Sequence, residues 1–280
     1  MLSPAPPPPA PGPLVAQDRS STAAAEEAPA LAPAPRPGIV LRQLSFADPL
    51  RWLALGWADF KRAPGIGLFY GACFTVMGWA LMRVYEHAPA YLLALSAGFL
   101  LVAPFLCLGI YHVSRELQAG RQPDFGASLM AWDARMGQLG IFAFVLLVLE
   151  MLWARSTLVI FAVTFDGMPD FKGSLSALFN PENVTFIVAW AVVGAIFATL
   201  IFSVSVVSMP MLLDRQTDAI TAALTSLRLV LTQTGVMFFW AVLISAITFA
   251  AMAPWFVGLL VVAPVIGHAS WHAYRAAVED

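Results

Sequence analysis

The chain has 280 residues, of which 60% are hydrophobic and only 11% charged, with a formal net charge of −2 and a mean hydropathy of +0.78. A water-facing domain carries roughly a quarter charged residues, so this composition excludes an ordinary soluble protein and describes an integral membrane protein. No Gly-rich phosphate loop, Ser-nucleophile elbow or His-Glu-x-x-His motif is present, and nucleic acid is not expected as a partner.

Residues 1–38 hold 11 of the 21 prolines and little that could form a packed face. They predict a disordered, partly polyproline-II tail rather than a signal sequence. Six later stretches are long and apolar enough to cross roughly 30 Å of hydrocarbon, at about 65–85, 90–113, 138–164, 184–211, 235–252 and 255–273. The last two are joined by little more than Ala-Pro-Trp, which predicts a tight hairpin with Trp255 at the membrane interface. Cys73 and Cys107 lie inside apolar runs and read as small buried hydrophobes, with a disulfide as the lesser alternative.

Charge placement sets the expected topology. Arg19, Arg36, Arg42, Arg51, Lys61, Arg62, Arg115, Arg121, Arg135, Arg215, Arg228 and Arg275 fall on one side of the predicted spans, and Arg83 and Lys172 on the other. Basic residues favour the cytoplasmic side, so both termini are expected there, in a bacterial inner membrane.

The spans repeat. "GFLLVAPFLCLGIYHVSR" (98–115) and "GLLVVAPVIGHASWHAYR" (258–275) share Gly, Leu, Val, Ala, Pro, His and Arg at a constant offset. "PMLLDR" (210–215) supplies the proline and arginine again between them. Ahead of the outward spans, "WADFKRAPGIGLF", "WDARMGQLGIFAF" and "LRLVLTQTGVMFF" align without gaps, and Asp48, Asp124 and Asp218 each precede them as expected helix N-caps. The expected fold is therefore all-α, with six transmembrane helices as three hairpin units (about 48–115, 124–215 and 218–275) and short amphipathic cytoplasmic helices before spans 1, 3 and 5. The first of these carries Leu50, Trp52, Leu53, Leu55, Trp57 and Phe60, and is expected to lie in the interface with its apolar side down.

"DPLRWLALGWADF" (48–60), "GFLLVAPFLCLGIY" (98–111), "PMLLDR" (210–215) and "GHASWHAYR" (267–275) resemble a bacterial integral-membrane family catalogued as domain of unknown function 2189. The resemblance covers nearly everything after the proline-rich tail, and implies a membrane fold without implying a reaction. It also implies an acidic residue where this chain has His112.

Few residues suggest chemistry. His268 and His272 are four apart on one helix face, and His112 is the repeat partner of His272, so the three are candidates for a haem or metal site. The plainer reading is amphipathic side chains at the cytoplasmic ends of spans, with no cofactor. Glu150 lies near mid-membrane in span 3, with Arg155 five positions on and about 140° round the helix; an ion or proton relay and a neutral, hydrogen-bonded glutamic acid are the alternatives. Pro104, Pro210 and Pro264 recur in phase and predict repeated kinks. Arg115, Arg215 and Arg275 are expected to ring the cytoplasmic face, enforcing topology or meeting anionic lipid. The first functional expectation is a non-enzymatic scaffold, assembly or lipid-organising protein, in contact with the bilayer and with membrane-protein partners or further copies of itself. A small-solute or proton-coupled carrier using Glu150 and Arg155 is the second, and a redox protein using His112, His268 and His272 the third.

Overall fold

Our computed structural model describes residues 39–87, 92–164 and 181–279; the expected disordered tail (1–38) lies outside the described residues. Among the described residues there is no strand, only one isolated antiparallel bridge between Leu41 and Val278. The helices in chain order are α1 (Asp48–Arg62), α2 (Pro64–His87), α3 (Leu92–Gln118), α4 (Phe125–Leu129), α5 (Met136–Thr164), α6 (Pro181–Ser205), α7 (Ser208–Asp214), α8 (Ala219–Thr232), α9 (Thr234–Met252) and α10 (Leu259–Ala277). A 3-10 turn over Asp133–Arg135 leads from α4 into α5.

Four stretches of described helix are long and apolar enough to cross a membrane: Pro64–His87, Met136–Thr164, Val184–Asp214 and Thr234–Met252. Their outward side chains, among them Phe144, Val159, Val163, Ile196 and Phe249, find no protein to cover them. That is the expected state of a surface solvated by lipid. The predicted spans at 90–113 and 255–273 correspond to α3 and α10, which are helical but outside those four. For α10 the reason is visible: its second half carries His268, Trp271, His272, Tyr274 and Arg275. Three of these, His268, Trp271 and Tyr274, are at most 1% exposed, turned onto protein rather than outward.

Asp124 and Asp218 accept hydrogen bonds from the backbone N–H of Ala127 (2.7 Å) and Thr221 (2.8 Å), relieving unpaired donors in the first turns of α4 and α8. Asp48 differs from its expected N-cap position. It is the first residue of α1, the cap residue being Ala47, and its carboxylate reaches back to the Ser45 N–H at 2.7 Å. The prolines also divide. Pro104 and Pro264 are embedded within α3 and α10. Pro210 is in the first turn of a new helix, α7, after the chain breaks at Val206–Val207. There its missing N–H leaves no intrahelical bond unmade, so the expected kink is replaced by an interruption.

The apolar residues of α1 do not all face one way. Trp52, Gly56, Asp59 and Phe60, spaced i, i+4, i+7 and i+8, are buried, whereas Leu50, Leu55 and Trp57 are exposed. The first set packs on the bundle; Trp57, with the Lys61 ammonium 5.9 Å from its ring centroid, is left for the interface.

Close backbone approach fixes α10 against its neighbours. A Cβ on Gly71 of α2 would fall 1.9 Å from the Leu260 carbonyl oxygen, and one on Gly56 of α1 would fall 2.6 Å from the Val265 carbonyl oxygen. The ends of the described chain are tied together beside it. Arg42 N–H donates to Ala277 O (2.9 Å) and Glu279 N–H to Val40 O (3.0 Å). The Gln233 amide, at the α8–α9 junction, accepts from Leu44 N–H (2.6 Å) and donates to Arg42 O (2.7 Å). Residues 40–44 and 277–279 therefore lie on the same side of the bundle.

Gly71→Ala should force α2 and α10 apart and destabilise the protein by roughly 1–3 kcal/mol or more, the usual cost of overpacking. Gly65→Ala, with nothing within 4 Å of its added Cβ, should be neutral or stabilising. Thermal unfolding of the two purified variants in detergent checks this; equal melting temperatures would contradict the packing argument.

Candidate functional site

Six helices leave a cavity of about 300 Å³ between them. Each wall follows helical spacing: Pro104, Cys107 and Tyr111 from α3, then Leu146, Leu147 and Glu150 from α5. Ile201, Phe202 and Ser205 come from α6, Trp240 and Ile244 from α9, and Ser270 from α10. The broken segment contributes Val206, and α7 contributes Met209. The volume falls at the low end of small-molecule pockets, which run from roughly 300 to 1,000 Å³ and are mostly apolar with a few polar groups.

Those polar groups are unevenly satisfied. The Ser205 and Ser270 hydroxyls donate to their own helices, at Ile201 O (2.6 Å) and Ile266 O (2.8 Å). Glu150 is 8% exposed and has no hydrogen-bond or ion-pair partner among the described residues. Arg155 is not brought to it: the guanidinium-bearing residue is exposed, on another side of α5. Trp240 is completely buried, edge-on to Trp52 with ring centroids 5.5 Å apart, and its Nε1–H is unpartnered. Two polar functions on this wall thus have unused capacity. Cys107 shares the wall and, like Cys73, is a free thiol, so the alternative of a disulfide does not hold.

A second constellation lies where α1, α3 and α10 meet. Asp59 Oδ2 accepts from Ser114 Oγ at 2.9 Å and from His272 Nε2 at 2.8 Å. Ser114 Oγ is also 2.7 Å from His268 Nδ1. Because the hydroxyl proton is committed to the carboxylate, His268 Nδ1 must donate to Ser114, which leaves the buried His268 Nε2 as an unpartnered acceptor. Burial by itself would raise the Asp59 carboxyl. The hydrogen bond and charge of His272, with the Ser114 hydroxyl, outweigh it and hold Asp59 below its ordinary value of 3.8. Ser114 is completely buried, so this chain of groups works as a latch between helices and not as a nucleophile.

His112 does not join it. Its Nδ1 accepts from Arg115 Nη2 at 3.1 Å. Ser114, two residues on and so about 200° round the helix, is the α3 residue that meets His268. The three histidines proposed for haem or metal therefore do not converge. Among the described residues no group of three or more His, Cys, Asp or Glu is placed to hold a metal ion.

The three arginines that the expected repeat aligns come together at one place, the end of α7. Arg115 Nη1 donates to Leu213 O (3.3 Å), Arg275 Nη1 to Asp214 Oδ2 (3.2 Å) and Arg215 Nε to Tyr274 Oη (2.9 Å). Tyr274 in turn donates to Asp214 at 2.8 Å. Cations at a helix C-terminus complement its dipole and its unpaired carbonyls. Sequence reasoning missed Asp59, Ser114, Asp214 and Trp240. Asp59 alone left a trace, as the acidic member of the Trp52–Gly56–Asp59–Phe60 stripe.

Taken together, these features define an all-helical integral membrane protein with an internal, mostly apolar cavity. Residues 92–214 match the model of a family described as "predicted integral membrane protein (DUF2189)", the family that the motifs resemble, whose function is unknown. The matched segment contains "GFLLVAPFLCLGIY" and ends at Asp214, so "DPLRWLALGWADF" and "GHASWHAYR" lie outside it. No curated protein matches the chain. No solved structure matches it either.

The Asp59 latch makes stability pH-dependent in a defined direction. A carboxyl whose folded value lies below its unfolded one stabilises the fold above the unfolded value, and that stability is lost as pH falls through the folded value. Stability should therefore drop on acidification below about pH 4. Asp59→Asn should cost roughly 1.5–3 kcal/mol at neutral pH and flatten the acid dependence. Thermal unfolding of both proteins across that range tests this; parallel pH profiles would rule out the latch as its source.

Proposed function

We propose that this protein is a non-enzymatic carrier of small, largely apolar molecules, built from six membrane-spanning helices in three hairpin units of a bacterial inner membrane. The observation that carries the reading is the coincidence, at one cavity, of a helix interruption and an unpaired membrane-embedded carboxyl. The break lies toward the end of the Val184–Asp214 span, where irregular backbone is tolerated because it is covered by protein or lines a cavity, and discontinuous helices are how many transporters build substrate sites. Val206 and Met209 flank the break and line the cavity; Pro104 lines it from α3.

Six crossings rather than four are supported by dimensions. At 1.5 Å per residue α10 is ~28 Å long and α3 ~40 Å, enough for the hydrocarbon layer. The polar residues in the second half of α10 are shielded by α1 and α3, so they need not meet lipid. Trp79 Nε1 donates to Trp255 O at 2.7 Å beside the α9–α10 hairpin, a pairing suited to one interface. The joined terminal segments fit an even number of crossings, and the basic-residue bias places them in the cytoplasm. The convergence of Arg115, Arg215 and Arg275 on α7 supports the repeat.

Cys107 reports on the cavity. In a Cys73→Ser protein, saturating neopentylbenzene, an apolar probe, should slow its alkylation by N-ethylmaleimide by about tenfold, and Ser205→Phe, which fills the cavity, should slow it without probe. For a carrier, a membrane-impermeant maleimide should also reach Cys107 from one face of reconstituted vesicles. Failure of protection by neopentylbenzene, or inaccessibility from both faces, would refute the reading.

A further inference from the structure

Glu150 is 14 residues into the 29-residue helix α5, ~21 Å from its start, so it has membrane on both sides. No Lys, Arg or His lines the cavity with it. The titratable neighbours on the wall are Cys107 and Tyr111, both from α3; α6, α7, α9 and α10 contribute only non-ionising side chains. Arg155 is exposed elsewhere on the helix. An unpaired carboxylate in this setting costs several kcal/mol, so the group must be neutralised by something the described residues do not supply. A proton does this when the cavity is empty. A ligand with one positive charge would do it equally well, and the two cannot occupy the carboxyl together.

The rest of the lining fits the same ligand. Trp240 belongs to the lining but is completely buried against Trp52, so it gives that part of the cavity a rigid apolar shape. The rest of the wall is Leu, Ile, Phe, Met and Pro side chains suited to an apolar body. We propose that the cavity binds a lipophilic monocation, which displaces the proton of Glu150 and pairs with its carboxylate, the proton leaving to solvent. One proton is released for each cation bound, and the cavity stays electrically neutral throughout. This rests on the carrier reading, and would make the carrier a cation–proton exchanger.

Benzyltrimethylammonium and neopentylbenzene have the same shape and differ in charge, so they separate the two ideas. Calorimetric titration of the full-length protein with benzyltrimethylammonium, in buffers of different ionisation enthalpy, should show release of about one proton per cation bound. Glu150→Gln should weaken the cation by about tenfold or more while still binding neopentylbenzene, which also shows that the variant is folded. Cation binding without proton release, or with equal affinity in the variant, would overturn the exchange. Wild-type protein that takes neopentylbenzene but not the cation would overturn the ligand class and leave the carrier reading standing. Failure to bind either probe would remove both. Should Glu150→Gln fail to fold, the proton count on the wild-type protein decides alone.

Discussion

Helices surrounded by lipid gain little from burying apolar surface against one another, since hydrocarbon tails already solvate them. What holds this bundle is the close contact of α10 with α1 and α2. The backbones of Gly56 and Gly71 stand so near to Val265 and Leu260 that no side chain could intervene. Dispersion is then gained along the whole contact, and polar groups come within bonding distance. The Asp59–Ser114–His268–His272 chain depends on that approach. In its absence the polar half of α10 would face hydrocarbon with its hydrogen-bonding groups unmet.

The same helix divides two environments. His268 and His272 face α1 and α3, whereas Ser270, between them in sequence and about 200° away from each, faces the cavity. One side of α10 is thus held by a polar network that leaves only His268 Nε2 unpartnered, and the other borders a space where the Glu150 carboxyl has no partner among the described residues. The contrast locates function. A network whose groups bond mainly to one another holds structure in place, and a carboxyl facing a cavity without a partner is available to a ligand.

The break between α6 and α7 ties the arginine cluster to the cavity. α7 is almost completely buried from Ser208 to Leu213, and its C-terminal end gathers Arg115, Arg275 and, through Tyr274, Arg215. The positive side chains expected to ring the cytoplasmic face are partly engaged with one helix end, which needs cations. A short helix anchored in this way can hold an interruption near the end of the span, because protein rather than lipid surrounds it.

The sequence by itself determined the class of the molecule, since 11% charged residues cannot clothe a water-exposed surface. It also located the long apolar helices among the described residues to within several residues, because apolar length, proline and capping aspartate are local signals, but it read the stretch that breaks into α6 and α7 as one span. Asp124 and Asp218 read correctly as caps for that reason, whereas Asp48 fell one position late because its carboxylate turns back to Ser45. Glu150 was legible as a costly charge at depth. Helical spacing already set Arg155 apart from it; only the tertiary structure decided that Trp240 and the broken helix line the same cavity. Likewise the identical His112 and His272 were separated by their neighbours, one bound by Arg115 and the other by Asp59. Helical periodicity specifies which residues share a face. It does not specify which face of which helix lies opposite, and that depends on packing between segments far apart in the chain.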